Sequence, residues 1–251
     1  MSFDKGCDGP RDVRTVSRRV LWPALVASAV ALLIGGSVSC SRSGSGESAE
    51  PAVPAEFSGY QRTPVRDVST ATIPTVDPVA DPGFVAAPGG LRLVYFGFTY
   101  CPDVCPTTLS DLRRALGELG PEDRARVDVD VVTVDPARDS AQVLADYVQA
   151  FVPDATSHRT DDDAALRAVV TAFGGDYSVT TGDDGEPEVS HTAEVYAVDD
   201  TGRIVLAWPF GTPAGSISVD LRRLLAGERP SPGTGSDGPS TTQTTNPGGT
   251  T

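Results

Sequence analysis

The sequence predicts an α/β fold, a central mixed sheet flanked by helices. Three observations carry that prediction. Leu91–Phe98 is a nearly continuous apolar run, as expected of a strand buried on both faces. It leads, through a short loop, into a leucine-rich segment with helical spacing. Strand-like and helix-like segments then alternate to residue 225, and the last two strand-like runs are joined by a short turn.

Val65–Val68 and Thr72–Val76 are short strand candidates interrupted by prolines. After the buried strand Leu91–Phe98, the helix Thr107–Leu119 aligns Leu109, Leu112, Leu116 and Leu119 and stops at Gly120-Pro121. Val127–Val134 is the next strand. Asp139 reads as the cap of a helix Ser140–Phe151, with Gln142 in capping-box position. Asp163–Phe173 is a helix ended by Gly174-Gly175. Thr192–Val198 and Ile204–Trp208 form a hairpin about Asp199-Asp200-Thr201-Gly202, and Ile217–Leu225 closes the domain as a helix. That order is thioredoxin-like, with a right-handed first crossover expected. No internal repeat is present.

Only the middle of the chain has a globular composition. Arg11, Arg14, Arg18 and Arg19 precede an uncharged, mostly apolar stretch from Val20 to Val38, which reads as an export signal. Cys40, followed by Ser41-Arg42-Ser43-Gly44, resembles a bacterial lipoprotein signal, departing from it at Ser37, where a branched apolar residue is preferred. An uncleaved membrane helix is the alternative, because about 19 apolar residues just suffice to span hydrocarbon. Either reading gives residues 1–40 as signal or anchor and places the domain outside the cytoplasm, tethered to the cell membrane. Residues 41–56 read as a flexible tether and 57–226 as one domain. Residues 227–251 hold no aliphatic or aromatic side chain and are expected to be disordered.

The formal charge is −14; without residues 1–39, the rest carries 15 basic and 31 acidic side chains, net −16. Such a body repels nucleic acid and anionic lipid, which excludes them as partners of the domain.

Four cysteines sort by position. Cys7 is cytoplasmic or removed, and Cys40 belongs to the anchor, leaving Cys101 and Cys105 in the domain. Outside the cytoplasm an unprotected pair tends to oxidise, so a metal-binding role requires a reductant. The two sit four residues apart at a strand-to-helix junction, so the sulfurs converge on one face. The helix N-terminus favours thiolate, which either attacks a disulfide or binds a soft metal. Pro102 and Pro106 restrict the loop, and Asp103 opposes thiolate formation. A purely structural disulfide across so short a loop restrains little chain.

His191 is the third candidate. It precedes the strand Thr192–Val198, whose start faces the cysteine helix in a thioredoxin-like fold. The acidic stretch Thr180–Glu188 reads as a loop that delivers the imidazole to a metal on the sulfurs. Two sulfurs and one nitrogen suit copper, as trigonal Cu(I) or as Cu(II) with an added oxygen ligand. Structural zinc calls for a fourth ligand, and none is evident. His158, among Ser157, Arg159 and Thr160, reads as an ordinary surface residue. Asp135 and Arg138 either line the site or hold their own loop.

The stretches Val94–Pro106, with Cys101-Pro102-Asp103-Val104-Cys105-Pro106, Val132–Asp139, and Ser190-His191 together resemble the Sco/SenC family of copper-delivery proteins, over residues 57–226. The resemblance implies a membrane-tethered, thioredoxin-like metallochaperone that takes copper on Cys101, Cys105 and His191 and helps assemble the dicopper centre of cytochrome c oxidase subunit II. It also implies exchange with other copper chaperones or thiol reductants. The alternative it leaves open is a thiol-disulfide oxidoreductase using Cys101 and Cys105 as a redox pair. The family's more regular hairpin is replaced here by the proline-rich segment 72–90. A peroxidase reading fails on spacing, since Thr99 lies two rather than three residues before Cys101.

Overall fold

The computed structural model describes residues 56–78 and 80–230, and the backbone of 242–244. The stretch expected to be a signal or anchor, Cys7, Cys40 and nearly all of the expected tether lie outside the described residues, as does most of residues 227–251. Among the described residues, no helix is long and apolar enough to cross a membrane.

The fold is α/β, with a mixed five-stranded sheet at its centre and helices packed around it. Strand β1 (Leu91–Gly97) lies in the middle of the sheet and is apolar throughout except for Arg92. On one side it pairs in parallel with β2 (Val127–Thr133), which pairs in parallel with β3 (Thr156–His158). On the other it pairs antiparallel with β6 (Glu194–Val198), which continues into β7 (Ile204–Pro209). A strand with neighbours on both sides and helices on both faces has no polar side, so the unbroken apolar run follows from its place in the sheet.

Helix α1 (Val104–Gly117) follows β1 and packs on α5 (Ala214–Leu225), burying Leu109, Leu112 and Leu116 against Leu221 and Leu224 in one core. A single turn, α2 (Pro121–Arg124), precedes β2; α3 (Ala141–Phe151) and α4 (Asp163–Phe173) follow it. Phe173 of α4 meets Phe96 and Tyr196 edge-on, with ring centroids 5.2 and 5.3 Å apart, and this cluster locks α4 onto β1 and β6.

A second, smaller sheet holds β4 (Tyr177–Thr181), β5 (Pro187–Thr192) and β8 (Thr242–Thr244), with β5 in the middle. It has no counterpart among the elements expected from the chain. β4 has its last four residues exposed, so it lacks the apolar alternation that marks a half-buried strand. The acidic stretch expected to be a loop is the tip of a β-hairpin: residues 182–186 form its turn, and its ends are strand, with Thr180 opposite Glu188 and Thr181 opposite Pro187.

The N-terminal segment 56–90 forms isolated bridges rather than the two strands expected there. Tyr60 pairs with Ala207 of β7, Asp67 with Arg203, Thr72 with Gly83, and Thr75 with His158 of β3. Prolines at 64, 74, 78, 82 and 88 remove the amide donors that longer ladders would need. Its attachment is polar as well as apolar. The buried carboxylate of Asp220 accepts from the amides of Ser58 and Gly59 and from the Trp208 indole. Glu194 accepts from Tyr60 and Arg62.

Two side chains have roles the sequence did not disclose. Ser140, not Asp139, caps α3, accepting from the amide of Val143 at 3.3 Å. His158 is fully buried: its Nε2 lies 2.5 Å from Asp130 and its Nδ1 3.1 Å from the Ile73 carbonyl. It is a core histidine that joins β3, β2 and the N-terminal segment, not a surface residue.

Candidate metal centre

The cysteines occupy the turn between β1 and α1. Cys101 lies in the loop, and Cys105 is the second residue of α1, which begins three residues earlier than its leucines suggested. Pro106 at the third helical position costs nothing, because the first amides of a helix have no carbonyl to bond. Asp103 offers α1 no side-chain cap. The amide of Cys105 instead donates to the sulfur of Cys101 at 3.3 Å. Both cysteines are free thiols, both buried.

His191 sits in β5, opposite Tyr177 of β4, and is 3 % exposed. Its Nε2 stands 3.7 Å from the Cys105 sulfur, and its ring also acts on Cys101. Nδ1 faces the Thr192 carbonyl at 3.1 Å. A carbonyl only accepts, so the hydrogen belongs on Nδ1. That tautomer turns the Nε2 lone pair toward the sulfurs, the orientation a metal ligand needs. Tyr95 and Phe98 hold the ring edge-on, with centroids 6.1 and 5.8 Å away. The imidazole is thus already in place, and no loop has to deliver it.

The two sulfurs differ in charge. The Cys101 thiol is lowered to about 4, chiefly by a hydrogen bond from the Cys105 side chain, against the opposing effect of burial; the amides of Cys105 and Asp103 add to the lowering. Cys105 is pushed well up, by burial first and then by its thiolate neighbour. Asp103 contributes to the lowering of Cys101 through its backbone amide. At neutral pH the pair is one thiolate and one thiol sharing a proton.

Neighbouring residues fix this geometry. Gly97 ends β1 beneath the site; a Cβ there would stand 2.7 Å from the Tyr95 ring and 3.2 Å from the Cys105 sulfur. Asp139, fully buried, accepts from the Thr99 amide at 3.1 Å and from the hydroxyls of Thr99 and Thr133 at 2.5 Å, tying the cysteine loop to the end of β2. Asp135 forms an ion pair with Arg138. The pairing of Asp135 with Arg138 is one of the two roles their sequence context offered, and Gly97 is signalled by its place between Phe96 and Phe98 in a buried strand; the inward role of Asp139 has no marker.

All three predicted ligands therefore meet, while His158 lies against Asp130 in the core and Asp135 faces Arg138 beside the cysteine loop. Among the described residues, no three His, Cys, Asp or Glu side chains are already arranged as a metal cage. To hold a metal the cluster must release the Cys105 proton and turn its donors to a common point. The donor set itself, two soft sulfurs and one imidazole in a largely apolar surround, fits copper.

A model of the SCO1/SenC family matches residues 86–226. The "Putative copper-binding protein" of Stutzerimonas stutzeri is 34% identical over 134 residues, 53% of this chain and 61% of that protein. The "SCO2-like protein" of Rickettsia felis is 33% identical over 119 residues, 46% of this chain and 56% of the relative. The chain thus spans less than two thirds of the length of these curated relatives. Among solved structures, apo Sco1 of Thermus thermophilus aligns with a TM-score of 0.55 at 32% identity, over 67% of this chain and 96% of that one. A SCO1/SenC family lipoprotein from Bacillus anthracis shares the fold, with a TM-score of 0.52 at 22% identity over 63% of this chain and 95% of its own. The family match takes in more than half of the 251 residues and includes Cys101, Cys105 and His191, and on that ground this chain belongs to the SCO1/SenC family.

Proposed function

We propose that the protein is a copper metallochaperone that binds one copper ion through Cys101, Cys105 and His191. It would deliver that ion to the dicopper centre of cytochrome c oxidase subunit II, from a membrane-tethered position outside the cytoplasm. The observation that carries the reading is the contact of the Cys105 sulfur with Nε2 of a histidine 86 residues away, 3.7 Å, its other nitrogen already engaged by a carbonyl. A redox dithiol needs no such imidazole; a three-ligand copper site does. Family membership and the copper-binding description of the Stutzerimonas relative support the same reading. Three ligands rather than four leave copper open to attack by a partner's thiolate, so the ion passes on by ligand exchange.

The test is copper binding by the reduced protein in competition with a Cu(I) chelator, beside His191→Ala and Cys105→Ser. One copper per chain, weakened by both substitutions, is the expected result. Weak binding that His191→Ala leaves unchanged would refute it.

A second reading is favoured by the low value of Cys101. Its thiolate would attack a partner disulfide, giving a mixed disulfide and releasing one partner thiolate. Cys105, on losing its proton to that thiolate, would then displace the second partner sulfur. The partner would leave as a dithiol and this chain as the Cys101–Cys105 disulfide. Equal turnover by wild type and His191→Ala, with no copper bound, would favour this role.

A further inference from the structure

Arg138 touches three separate segments around the site. Its guanidinium pairs with Asp135, which is 2 % exposed, in the loop after β2. It lies over the rings of Tyr100 and Phe98, 5.1 and 5.9 Å from their centroids, on either side of Thr99 in the cysteine loop. Its Nη1 donates to the carbonyl of Pro187, the first residue of β5, at 3.4 Å. β5 is the strand that carries His191, and Phe98 is one of the two rings that hold the imidazole. Within β5, Val189–Thr192 are buried, whereas Pro187 and Glu188, where Arg138 takes hold, are only part-buried.

We propose that Arg138 is a positioning residue, a latch that holds the β4–β5 hairpin against the cysteine loop and thereby sets how long His191 stays over the sulfurs. The inference rests on the copper reading of the site and deepens it: the latch governs release of the cargo. Asp135 fixes the guanidinium plane, the aromatic rings accept its face, and the long bond to Pro187 is the contact that yields first. A partner that drew Tyr100 or Arg138 into its own surface would free β5, lift the imidazole and leave copper on two sulfurs. Tyr100, 62 % exposed beside Cys101, is placed for such a contact. Planar stacking and a fork of donors are what an arginine supplies and a lysine does not.

The test uses the full reduced chain with Arg138→Ala and Arg138→Lys. Amide exchange across residues 189–192 in the metal-free protein is expected to rise roughly tenfold in Arg138→Ala, without a matching rise in β1. Loss of Cu(I) to a chelator is expected to accelerate roughly tenfold, while stoichiometry stays at one per chain. Arg138→Lys should restore part of both, and serves as the working variant if the alanine form does not fold. The deciding arm is the double variant. If Arg138 acts through His191, Arg138→Ala adds nothing to the release rate of His191→Ala. Acceleration of equal size in both backgrounds, or unchanged exchange in residues 189–192, would overturn the latch. The exchange arm needs no metal, so failure of copper binding and failure of the latch are read separately.

Discussion

The amide of Cys105 donates to the sulfur of Cys101 at 3.3 Å, so the helix that carries one cysteine is capped by the other. The bond runs from an unsatisfied first-turn donor to a thiolate, which couples helix formation to the charge state of the site.

Alkylation of Cys101 should therefore proceed at mildly acidic pH, with a midpoint near 4. Cys105→Ala removes the largest of the causes that hold this value down, and the midpoint should move up toward the ordinary thiol range. Mass spectrometry of the alkylated peptides at graded pH measures it. A midpoint that does not move would mean that the Cys105 side chain is not the cause.

The same ionisation makes reduced-protein stability pH-dependent. The folded value of Cys101 is depressed, so its contribution is complete above the unfolded thiol value of about 8.5 and is lost as pH falls through about 4. Cys105 is raised, so its contribution is present below the unfolded value and lost at higher pH. Denaturation of wild type should show stability rising from about pH 4 toward 8.5 and declining above. Cys101→Ser should lack that rise, leaving only the slope due to carboxylates.

Gly97→Ala should damage the site from below. The added methyl meets the Tyr95 ring and the Cys105 sulfur, and relieving that overlap costs about 1–3 kcal/mol. Because the sulfur is one of the atoms that must give way, copper affinity should fall along with stability. Chemical denaturation and chelator competition on the same sample test both.

His158→Ala should separate the two histidines of the chain. Removing the imidazole strands Asp130 in the core, where breaking a buried pair costs about 3–5 kcal/mol. Arg92, 3.5 Å from the other Asp130 oxygen, offsets part of that. Copper stoichiometry should stay unchanged, in contrast to His191→Ala. Loss of copper binding with retained stability would reverse the assignment.

How much of this was legible in the chain depended on where each residue's partner lay. The β1–cysteine–α1 unit was readable because strand, loop and helix are contiguous, and their periods change where the cysteines sit. His191 was found as a candidate, but its strand was not, because β5 pairs with a polar β4 whose outer face shows no alternation. His158 was misread because its partner, Asp130, is 28 residues away on the neighbouring strand. In Val127-Asp128-Val129-Asp130, the first aspartate is exposed and the second is buried, a difference that a period of two cannot predict. Asp139 and Ser140 are adjacent and equally suited to cap a helix. Only the Thr99 and Thr133 hydroxyls, brought in by the fold, decide that Asp139 faces inward.

The bridges made by the N-terminal segment have a consequence for solubility. Tyr60 exchanges both backbone hydrogen bonds with Ala207 on β7, the last strand on one side of the sheet. Val76 donates to Ser157 of β3, the last strand on the other, and Arg159, the residue after that strand, donates to Pro74. One irregular, proline-broken segment thus occupies backbone groups along both open edges of a five-stranded sheet. Exposed edges invite pairing with a second chain. Between residues 60 and 76 the chain thus takes up edge groups that a second chain would otherwise pair with, and Pro64 and Pro74 have no amide to offer in turn.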